Sequence, residues 1–335
     1  MTITVKDVAR EAGVSRTTVS NVFNGREKYS KETEEAVLSA AKKLGYKPNL
    51  AAQSLITNKS HLIGLILPSY VDKNTLTNSP FYNIIIDGVY SVLRDEAYYD
   101  VIISCVPNRQ ALVQVSDWAD IRNVDGLIAI GEYDLDFLRA MEAKEIPVVL
   151  IDNYQQQIPA FSYINSDDET GGYLAAHKLI ECGYQNIALC SIAPHSPLMQ
   201  KRYAGYQRAM REAGCAEHYF EGSTFSAFEN GKELGEALVS HQIDAAFCTE
   251  DMLAVGVLHS LQSMGIRVGP DFGLIGFDNI PMSHYIYPEL TTVDQNIAEK
   301  GEVATTTLLN IVKEDSLKGT RLILPVNLIE RNTTC

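Results

Sequence analysis

Short apolar segments alternate with amphipathic helical segments through most of this sequence, and that alternation limits the possible folds more than any other feature. The apolar runs lie at 62–67, 100–104, 126–130, 147–151, 186–190, 244–248 and 272–276. Strands that alternate with helices in this way form parallel sheets covered by helices. About ten strands in two clusters predict two α/β lobes, and ligands of such folds bind at the carboxyl ends of the strands.

The first 60 residues follow a different pattern, in which start and stop signals bound three short helical segments. The pairs of signals are Thr4 and Gly13, Ser15 and Gly25, and Ser30 and Gly45. Two helices of about eight residues, joined by a tight turn that contains glycine, are typical of a helix-turn-helix. The outer face of the second helix carries short hydrogen-bonding side chains and one arginine, so it is either a solvated surface or a face that reads DNA bases.

The charge of the chain is segregated along the sequence. The 335 residues carry a net charge of −14, which by itself argues against a nucleic-acid partner. Residues 1–60, however, contain ten lysines and arginines against six acidic residues, whereas the remainder contains 18 against 36. A basic segment joined to an acidic body indicates a nucleic-acid-binding module, while the body itself would repel DNA.

The stretch at 49–59 can form a helix but is too short to be stable as one on its own. One interpretation is a linker whose apolar side chains pack on the body. The other is a hinge helix that becomes ordered on DNA and inserts Leu55 into a base step of the minor groove. The residues of this stretch leave both interpretations open.

Several classes of protein are disfavoured by motifs that the sequence lacks. No apolar run approaches the roughly 18–20 residues that span a bilayer, and the N-terminus has no signal-peptide pattern. The six cysteines are scattered without a CxxC pair, which predicts free thiols in a reducing cytoplasm. Dinucleotide-binding, P-loop and nucleophile-elbow motifs are missing, as is any metal-ligand spacing. We therefore expect no catalytic residue, metal or cofactor.

Four short strings in the first 49 residues resemble those of one known family. They are VKDVAREAGVS at 5–15, TVS at 18–20, NG at 24–25 and LGYKPN at 44–49. On these strings the chain resembles the lactose and galactose repressor (LacI/GalR) family, and the resemblance covers nearly all of the sequence. It implies an all-α helix-turn-helix headpiece at 1–48, a hinge helix at 49–60 and a two-lobed α/β core at 61–335, similar to periplasmic binding proteins. It places the first lobe at about 61–161 and 293–324, and the second at about 162–291 and 325–335.

The resemblance also implies how the headpiece contacts DNA. The second helix would lie in the major groove, where bases are read by Arg16, Thr17 and Asn21. Phosphate contacts are implied for Thr4, Ser15, Thr18, Ser20 and Asn24, and minor-groove contacts for Ala52 and Leu55. Arginine is common in the family at the positions of Asn21, Gln53 and Ile56. These departures predict an adenine opposite Asn21 and a weaker salt dependence of binding.

Candidate effector contacts follow the ends of the predicted strands. Asp152, Asp251 and Asp278 lie at such positions, and the resemblance implies that Arg202 clamps the effector. Carboxylates that accept two hydrogen bonds suit the paired hydroxyls of a sugar. Each of these side chains also has a structural alternative, as a helix cap or as a partner in an ion pair.

Three aromatic residues and one further carboxylate complete the candidate effector site. Rings that suit the apolar face of a sugar are those of Phe81, Tyr82 and Phe225. Glu250 stands where the family usually has asparagine, and a negative charge facing the cleft disfavours phosphorylated or acidic effectors. Ser196 and Leu198 stand where purine-binding members carry polar or cationic contacts, which disfavours a purine.

The resemblance implies a homodimeric, cytoplasmic repressor of a carbohydrate operon. Two headpieces would bind a pseudo-palindromic operator, and a small sugar between the lobes would switch the affinity for DNA. One alternative is a core that responds to a phosphorylated phosphocarrier protein, although the acidic body offers no evident basic patch. Another is an enzyme or a transport-type binding protein with a vestigial headpiece, which the missing motifs and signal peptide disfavour.

Overall fold

A computed structural model describes most of the chain. The described residues are 3–24, 29–46, 60–68, 79–95, 99–106, 124–154, 158–192, 196–223, 226–314 and 317–335. The predicted minor-groove residues Ala52 and Leu55 lie outside these ranges, as do Gln53, Ile56 and the predicted stacking residue Phe225.

Three helices form the headpiece, and the predicted signals bound them. They are α1 (Val5–Ala12), α2 (Arg16–Asn24) and α3 (Lys31–Leu44). The Ser15 hydroxyl accepts a hydrogen bond from the backbone N–H of Thr18 at 3.0 Å, and Gly13 and Gly45 end helices in the left-handed conformation. The core of the headpiece is small and consists of Val8, Ala9, Val19, Val37, Ala40 and Ala41.

The remainder contains two six-stranded sheets with helices between the strands. In chain order the elements are β1 (Leu62–Pro68), α4 (Pro80–Asp95), β2 (Asp100–Val106), β3 (Gly126–Ile130), α5 (Leu135–Ala143), β4 (Val148–Ile151), β5 (Ser162–Ser166), α6 (Asp168–Glu181), β6 (Ile187–Ser191), α7 (Pro197–Ala213), β7 (His218–Glu221), α8 (Ala227–Ser240), β8 (Ala245–Cys248), α9 (Asp251–Ser263), β9 (Gly273–Phe277), α10 (Met282–Tyr285), β10 (Thr291–Asp294), α11 (Ile297–Glu314), β11 (Arg321–Leu324) and β12 (Asn327–Ile329).

Each sheet belongs to one lobe, and the chain passes between the lobes three times. The first sheet has the order β11-β5-β4-β3-β1-β2 and the second β12-β10-β9-β8-β6-β7. All neighbouring strands are parallel except β12, which runs antiparallel to β10. Central strands such as β3 and β8 are buried along their whole length, as parallel strands covered on both faces require.

The predicted lobe boundaries at 162 and 292–293 are a few residues too early. β5 begins at Ser162 but pairs with β4 and β11 of the first lobe, and β10 pairs with β9 of the second lobe as far as Val293. The chain therefore crosses only after each of these strands has ended. Polar, half-buried residues mark the two crossings, Asp167 after β5 and Asp294 at the end of β10.

The prediction that all six cysteines are free thiols is wrong for one pair. Cys182, at the end of α6, and Cys335 form a disulfide across a sequence separation of 153 residues, whereas the other four cysteines are free. The backbone and side chain of Thr333 bond to Leu274, and this fixes the last residues beside the second sheet. The tertiary course of the chain, which sequence spacing does not reveal, thus brings the two cysteines together.

Candidate functional site

The first turn of α2 presents polar side chains to solvent. Arg16 and Thr17 are both exposed, and Ser15 precedes them as the cap of the helix. Free backbone N–H groups at a helix N-terminus attract phosphate, and an exposed arginine in the first turn can reach base edges. Thr4 caps α1 and is also exposed, although its hydroxyl donates to Asp7 at 2.7 Å.

The predicted base reader Asn21 has a partner within the headpiece. Its amide donates a hydrogen bond to the Tyr29 hydroxyl at 3.1 Å, and the side chain is half-buried. Thr18 and Ser20 are also half-buried, whereas the side chain of Asn24 lies outside the described part of the molecule. Of the predicted DNA contacts on α2, Arg16 and Thr17 are therefore the most accessible.

A second group of polar side chains lies buried where the two lobes meet, and we call it the inter-lobe cluster. Its members are Asp152, Tyr154, Asp168, Arg202, Glu250, Asp278, Gln295 and Lys300. Asp152 and Asp278 follow β4 and β9 directly, with backbone φ angles of 55° and 118°. Such left-handed conformations are uncommon for residues other than glycine and are concentrated at functional sites.

Arg202 lies near the start of α7 and is almost fully buried. Its Nε donates to Asp168 Oδ1 at 2.8 Å, its Nη1 donates to the Thr249 carbonyl, and Asp278 lies 3.8 Å from Nη1. The guanidinium also stacks 3.6 Å above the ring of Phe277. Burial opposes the charge, but the carboxylates of Asp168 and Asp278 outweigh it and raise the pKa of Arg202.

A close contact between α6 and α7 places Arg202 beside Asp168. A Cβ atom added to Gly172 would lie 2.0 Å from the carbonyl oxygen of Arg202, so only glycine allows the two helices to approach this closely. Asp167 is the N-cap of α6, and its side chain accepts a hydrogen bond from the backbone N–H of Thr170. The next residue, Asp168, is left to pair with the arginine.

A chain of hydrogen bonds joins the first lobe to the second through Lys300. The lysine is fully buried, and its ammonium donates to Asp152 at 2.8 Å and to Gln295 Oε1 at 2.6 Å. Gln295 in turn donates to Asp278 Oδ1 at 2.5 Å. Burial raises the pKa of Asp152 despite the nearby lysine, and it raises the pKa of Asp278 to about 6 against the opposing charge of Arg202.

Tyr154 makes the second connection between the lobes. Its hydroxyl donates to Asp168 Oδ2, and the carbonyl oxygen of Ser166 lies 3.1 Å from the same hydroxyl. Burial and the charge of Asp168 raise the pKa of Tyr154, so the phenol remains a hydrogen-bond donor. Asp168 thus accepts from a tyrosine of the first lobe and an arginine of the second.

The two neighbouring carboxylates Glu250 and Asp251 differ in their surroundings. Both oxygens of Asp251 are occupied within the second lobe, by the Thr292 hydroxyl at 2.6 Å and the Ile280 N–H at 2.9 Å, which gives Asp251 a structural role. Glu250 Oε1 is buried and has no hydrogen-bond partner among the described residues. Burial, together with the charge of Asp278, raises the pKa of Glu250 to about 7.

The two predicted aromatic effector contacts that the structure describes differ in their surroundings. Phe81 is half-buried with its ring centroid 5.6 Å from the Lys300 ammonium, whereas Tyr82 is buried in the core of the first lobe. A cavity of about 370 Å³ adjoins the inter-lobe cluster at Asp278. Its lining residues are Ile84, Asp278, Asn279, Asp294, Asn296, Ile297, Ala298, Glu299 and Glu302.

Four members of the cluster, Tyr154, Asp168, Gln295 and Lys300, are not identified by the sequence patterns described above. For Lys300 the sequence does indicate burial, because the lysine shares one helical face with Ile297, Ala304 and Leu308, all of which are buried. A lysine on an otherwise apolar stripe implies a buried partner. The other three residues carry no comparable signal.

The described residues set limits on other kinds of site. They contain no group of three or more His, Cys, Asp or Glu side chains arranged to hold a metal ion. None of the described helices has both the length and the apolarity that crossing a bilayer requires.

Two family models match the chain. Residues 4–49 match the model described as bacterial regulatory proteins of the lacI family, and residues 158–334 match the periplasmic binding protein-like domain. The first match covers the helices of the headpiece. The second covers slightly more than half of the sequence and includes most of the inter-lobe cluster.

Curated relatives align along almost the whole chain. The ribose operon repressor of Haemophilus influenzae is 32% identical over 335 residues, which covers 98% of both chains. The repressor PurR of the same species is 33% identical over 318 residues and covers 91% of this chain and 90% of its own. The ribose operon repressor of Bacillus subtilis is 32% identical over 333 residues.

Solved structures show the same architecture. The lac repressor dimer bound to operator and the anti-inducer ONPF superimposes with a TM-score of 0.79 at 28% identity, covering 100% of this chain and 99% of its own. The complex of the regulator CelR with cellobiose gives a TM-score of 0.72 at 25% identity over 99% of each chain. From the headpiece, the two-lobed core and these matches, we conclude that the chain belongs to the LacI family of DNA-binding transcription regulators.

Proposed function

We propose that this chain represses a carbohydrate operon and that a small sugar bound at the inter-lobe cluster switches its affinity for the operator. The observation that carries the proposal is that one chain contains both features. The first turn of α2 is exposed and carries an arginine, and the cleft is buried and rich in carboxylates. The headpiece supplies a surface for DNA, and the cleft supplies acceptors for hydroxyl groups.

The chemistry of the cleft supports a sugar over a purine. Unpartnered acceptors in the described part of the cleft include Asn153 Oδ1, Asn165 Oδ1 and Thr249 Oγ1, which are buried near the carboxyl ends of strands. Polyols bring many donors to such acceptors. Ser196 is occupied as the N-cap of α7, so it is not poised as a base-reading contact. The relatives include both ribose and purine repressors, so they do not favour one class of ligand. The proposal of a sugar therefore rests on the chemistry of the cleft.

The coupling between the two sites follows from the connections across the lobes. Tyr154–Asp168 and Lys300–Gln295–Asp278 join the lobes through hydrogen bonds that a ligand of Arg202 or Asp278 would disturb. A ligand that binds one arrangement of the lobes more tightly shifts the population toward it. Leu55 and Ala52 of the hinge are proposed to pass this shift on to the minor groove.

A homodimer acting in the cytoplasm completes the proposal. Large apolar side chains are exposed at Tyr90 and Ile103 of the first lobe and at Tyr285 and Tyr287 of the second, and these support association with a second copy. The relatives' regulatory role supports a function other than catalysis. Control by a phosphorylated phosphocarrier has no specific support from the described surface.

The test is a fluorescence anisotropy titration of the full chain on duplexes selected from a random pool. We expect Arg16→Ala to weaken binding of the selected duplex at least tenfold, with Arg10→Ala, which alters another exposed arginine of the headpiece, as the control. At least one sugar from a panel of mono- and disaccharides should shift the wild-type affinity, and Asp278→Asn should abolish that shift. Failure to select any duplex, or the same sugar response in Asp278→Asn, would contradict the proposal.

A further inference from the structure

We propose that the effector is an amine-bearing carbohydrate, an amino sugar or a short amino-sugar oligomer, whose ammonium group binds beside Glu250 and Asp278. The inference rests on the sugar-binding function proposed above and narrows the class of ligand. It depends on the balance of charge in the buried cleft, on two unpartnered buried polar atoms and on the adjoining cavity.

The buried cleft holds more carboxyl groups than cations. The cations of the inter-lobe cluster are Arg202 and Lys300, and its carboxyl groups are those of Asp152, Asp168, Glu250 and Asp278, whereas Asp251 outside it is influenced by the charge of the half-buried Arg331. Arg202 is engaged by Asp168 at 2.8 Å and Lys300 by Asp152 at 2.8 Å. Asp251 is satisfied by a hydroxyl and a backbone N–H. Asp278 shares Arg202 with Asp168 and lies 3.8 Å from it, and Glu250 has no ion pair among the described residues.

Two polar atoms of the consecutive residues that follow β8 have no hydrogen-bond partner among the described residues. They are Oε1 of Glu250 and Oγ1 of Thr249, and Thr249 is fully buried. A buried acceptor left unpaired is destabilising, and more so when the group is charged. An ammonium group offers three donors and a positive charge, whereas a sugar hydroxyl offers one donor and no charge.

The cavity beside Asp278 has the same sign of charge. Among the described residues, its lining includes four carboxylates, those of Asp278, Asp294, Glu299 and Glu302, and no lysine or arginine. A cleft lined by one sign of charge concentrates ligands of the opposite sign. Its volume of about 370 Å³ falls within the roughly 300–1,000 Å³ typical of small-molecule sites.

An organic cation suits this arrangement better than a metal ion. The described carboxylates include no group of three positioned to hold a metal. The unpaired threonine hydroxyl and the amides nearby are the acceptors that bind an amine within a polyol. The same acceptors serve the remaining hydroxyls of the ring.

The experiment is isothermal titration calorimetry of the full chain with matched pairs of sugars. The pairs are glucose and glucosamine, galactose and galactosamine, mannose and mannosamine, and cellobiose with its diamino counterpart, chitosan disaccharide. At pH 6.5 we expect the amine of at least one pair to bind ten or more times as tightly as its hydroxyl partner. Glu250→Gln should reduce that ratio at least tenfold, while Glu236→Gln, which alters an exposed glutamate of α8, should not.

The outcomes separate this inference from the proposed function. A hydroxyl sugar that binds as well as its amine overturns the amine inference and leaves the sugar function standing. Failure of every member of every pair to bind overturns both. If Glu250→Gln does not fold, Thr249→Val removes the other unpaired acceptor and should weaken the amine several-fold more than the hydroxyl partner. An unchanged ratio in the folded variant contradicts the inference.

Discussion

The headpiece and the inter-lobe cluster use the same residue types under opposite conditions. Arg16 lies exposed in the first turn of α2, whereas Arg202 is buried against two aspartates. Exposed charges remain hydrated and are available to a large anionic partner. Buried charges must be compensated by the protein itself, and so they bind a small ligand only by exchanging one set of partners for another. A headpiece charge can therefore serve binding with little effect on folding, while a cluster charge serves both.

The largest expected effect separates these two arginines. Arg202→Ala leaves Asp168 without its closest cation in a buried site, and we expect the free energy of unfolding of the core to fall by about 3–5 kcal/mol. Arg16→Ala should change the stability of the headpiece by less than about 0.5 kcal/mol. Urea unfolding followed by fluorescence and circular dichroism measures both. Equal losses of stability in Arg202→Ala and Arg16→Ala would contradict the distinction between buried and exposed arginines.

The pair of Lys300 and Asp152 tests whether the buried charges are compensated as pairs. Lys300→Met keeps the length of the side chain but leaves Asp152 without its cation, and we expect a loss of about 3 kcal/mol. The double variant with Asp152→Asn should recover at least half of this loss, because it removes both charges together and asparagine tolerates the left-handed backbone of this position. A double-mutant cycle of urea unfolding measures the coupling. If the losses of stability in the two single variants add up in the double variant, Lys300 and Asp152 do not compensate each other's charge.

The stability of the core should depend on pH differently from the stability of the headpiece. The pKa of Glu250 is raised to about 7 and that of Asp278 to about 6, from ordinary values of 4.5 and 3.8. Between pH 5 and pH 8 the folded core therefore holds protons that the unfolded chain has already lost, and stability falls as pH rises. We expect a loss of about 1–3 kcal/mol over this range.

Urea unfolding at unit pH intervals measures that slope. Glu250→Gln should flatten it, with Glu236→Gln as the control that leaves it unchanged. In the headpiece, hydrogen bonds from Thr4 lower the pKa of Asp7, so its titration falls below this range. Asp278 should still give a slope near pH 6 in Glu250→Gln, whereas an unchanged slope between pH 6 and pH 8 would assign that titration to groups other than Glu250.

The smallest effect concerns the internal partner of Asn21. Tyr29→Phe removes the hydroxyl that accepts from the Asn21 amide, and we expect the headpiece to lose about 1 kcal/mol. The amide is then free to turn toward DNA, so binding to the selected duplex should change by less than about threefold. Hydrogen exchange of the α2 amides and anisotropy measure the two quantities. A tenfold loss of affinity would mean that the hydroxyl itself takes part in binding DNA.

The headpiece could be predicted almost residue by residue because its signals are local. The Ser15 hydroxyl and the glycines at 13 and 45 act on the helices that they bound, within a few residues along the chain. The apolar spacing of Val8, Val19 and Val37 likewise identifies its core. Local signals of this kind are legible in a single sequence.

The inter-lobe cluster was predictable only in part because its contacts are distant in sequence. Strand ends pointed to Asp152 and Asp278, but the pairing of Asp152 with Lys300 joins residues 148 positions apart. Asp251 follows a strand in the same way, and yet its oxygens are bound within its own lobe. Position along the chain does not reveal which face of a sheet end a carboxylate occupies, and the packing of helices decides it.

The order of the strands has a consequence for how the protein is made. Both sheets receive an edge strand from near the end of the sequence, β11 in the first lobe and β12 in the second. Ribosomes release the chain from its N-terminus, so the headpiece can fold while both lobes still lack these edges. Until residues 321–329 emerge, β5 and β10 each present one unpaired edge. Nascent copies on one messenger RNA thus carry folded DNA-binding domains joined to lobes that still lack an edge strand. The open edges of these lobes are the sites where chaperones would be needed.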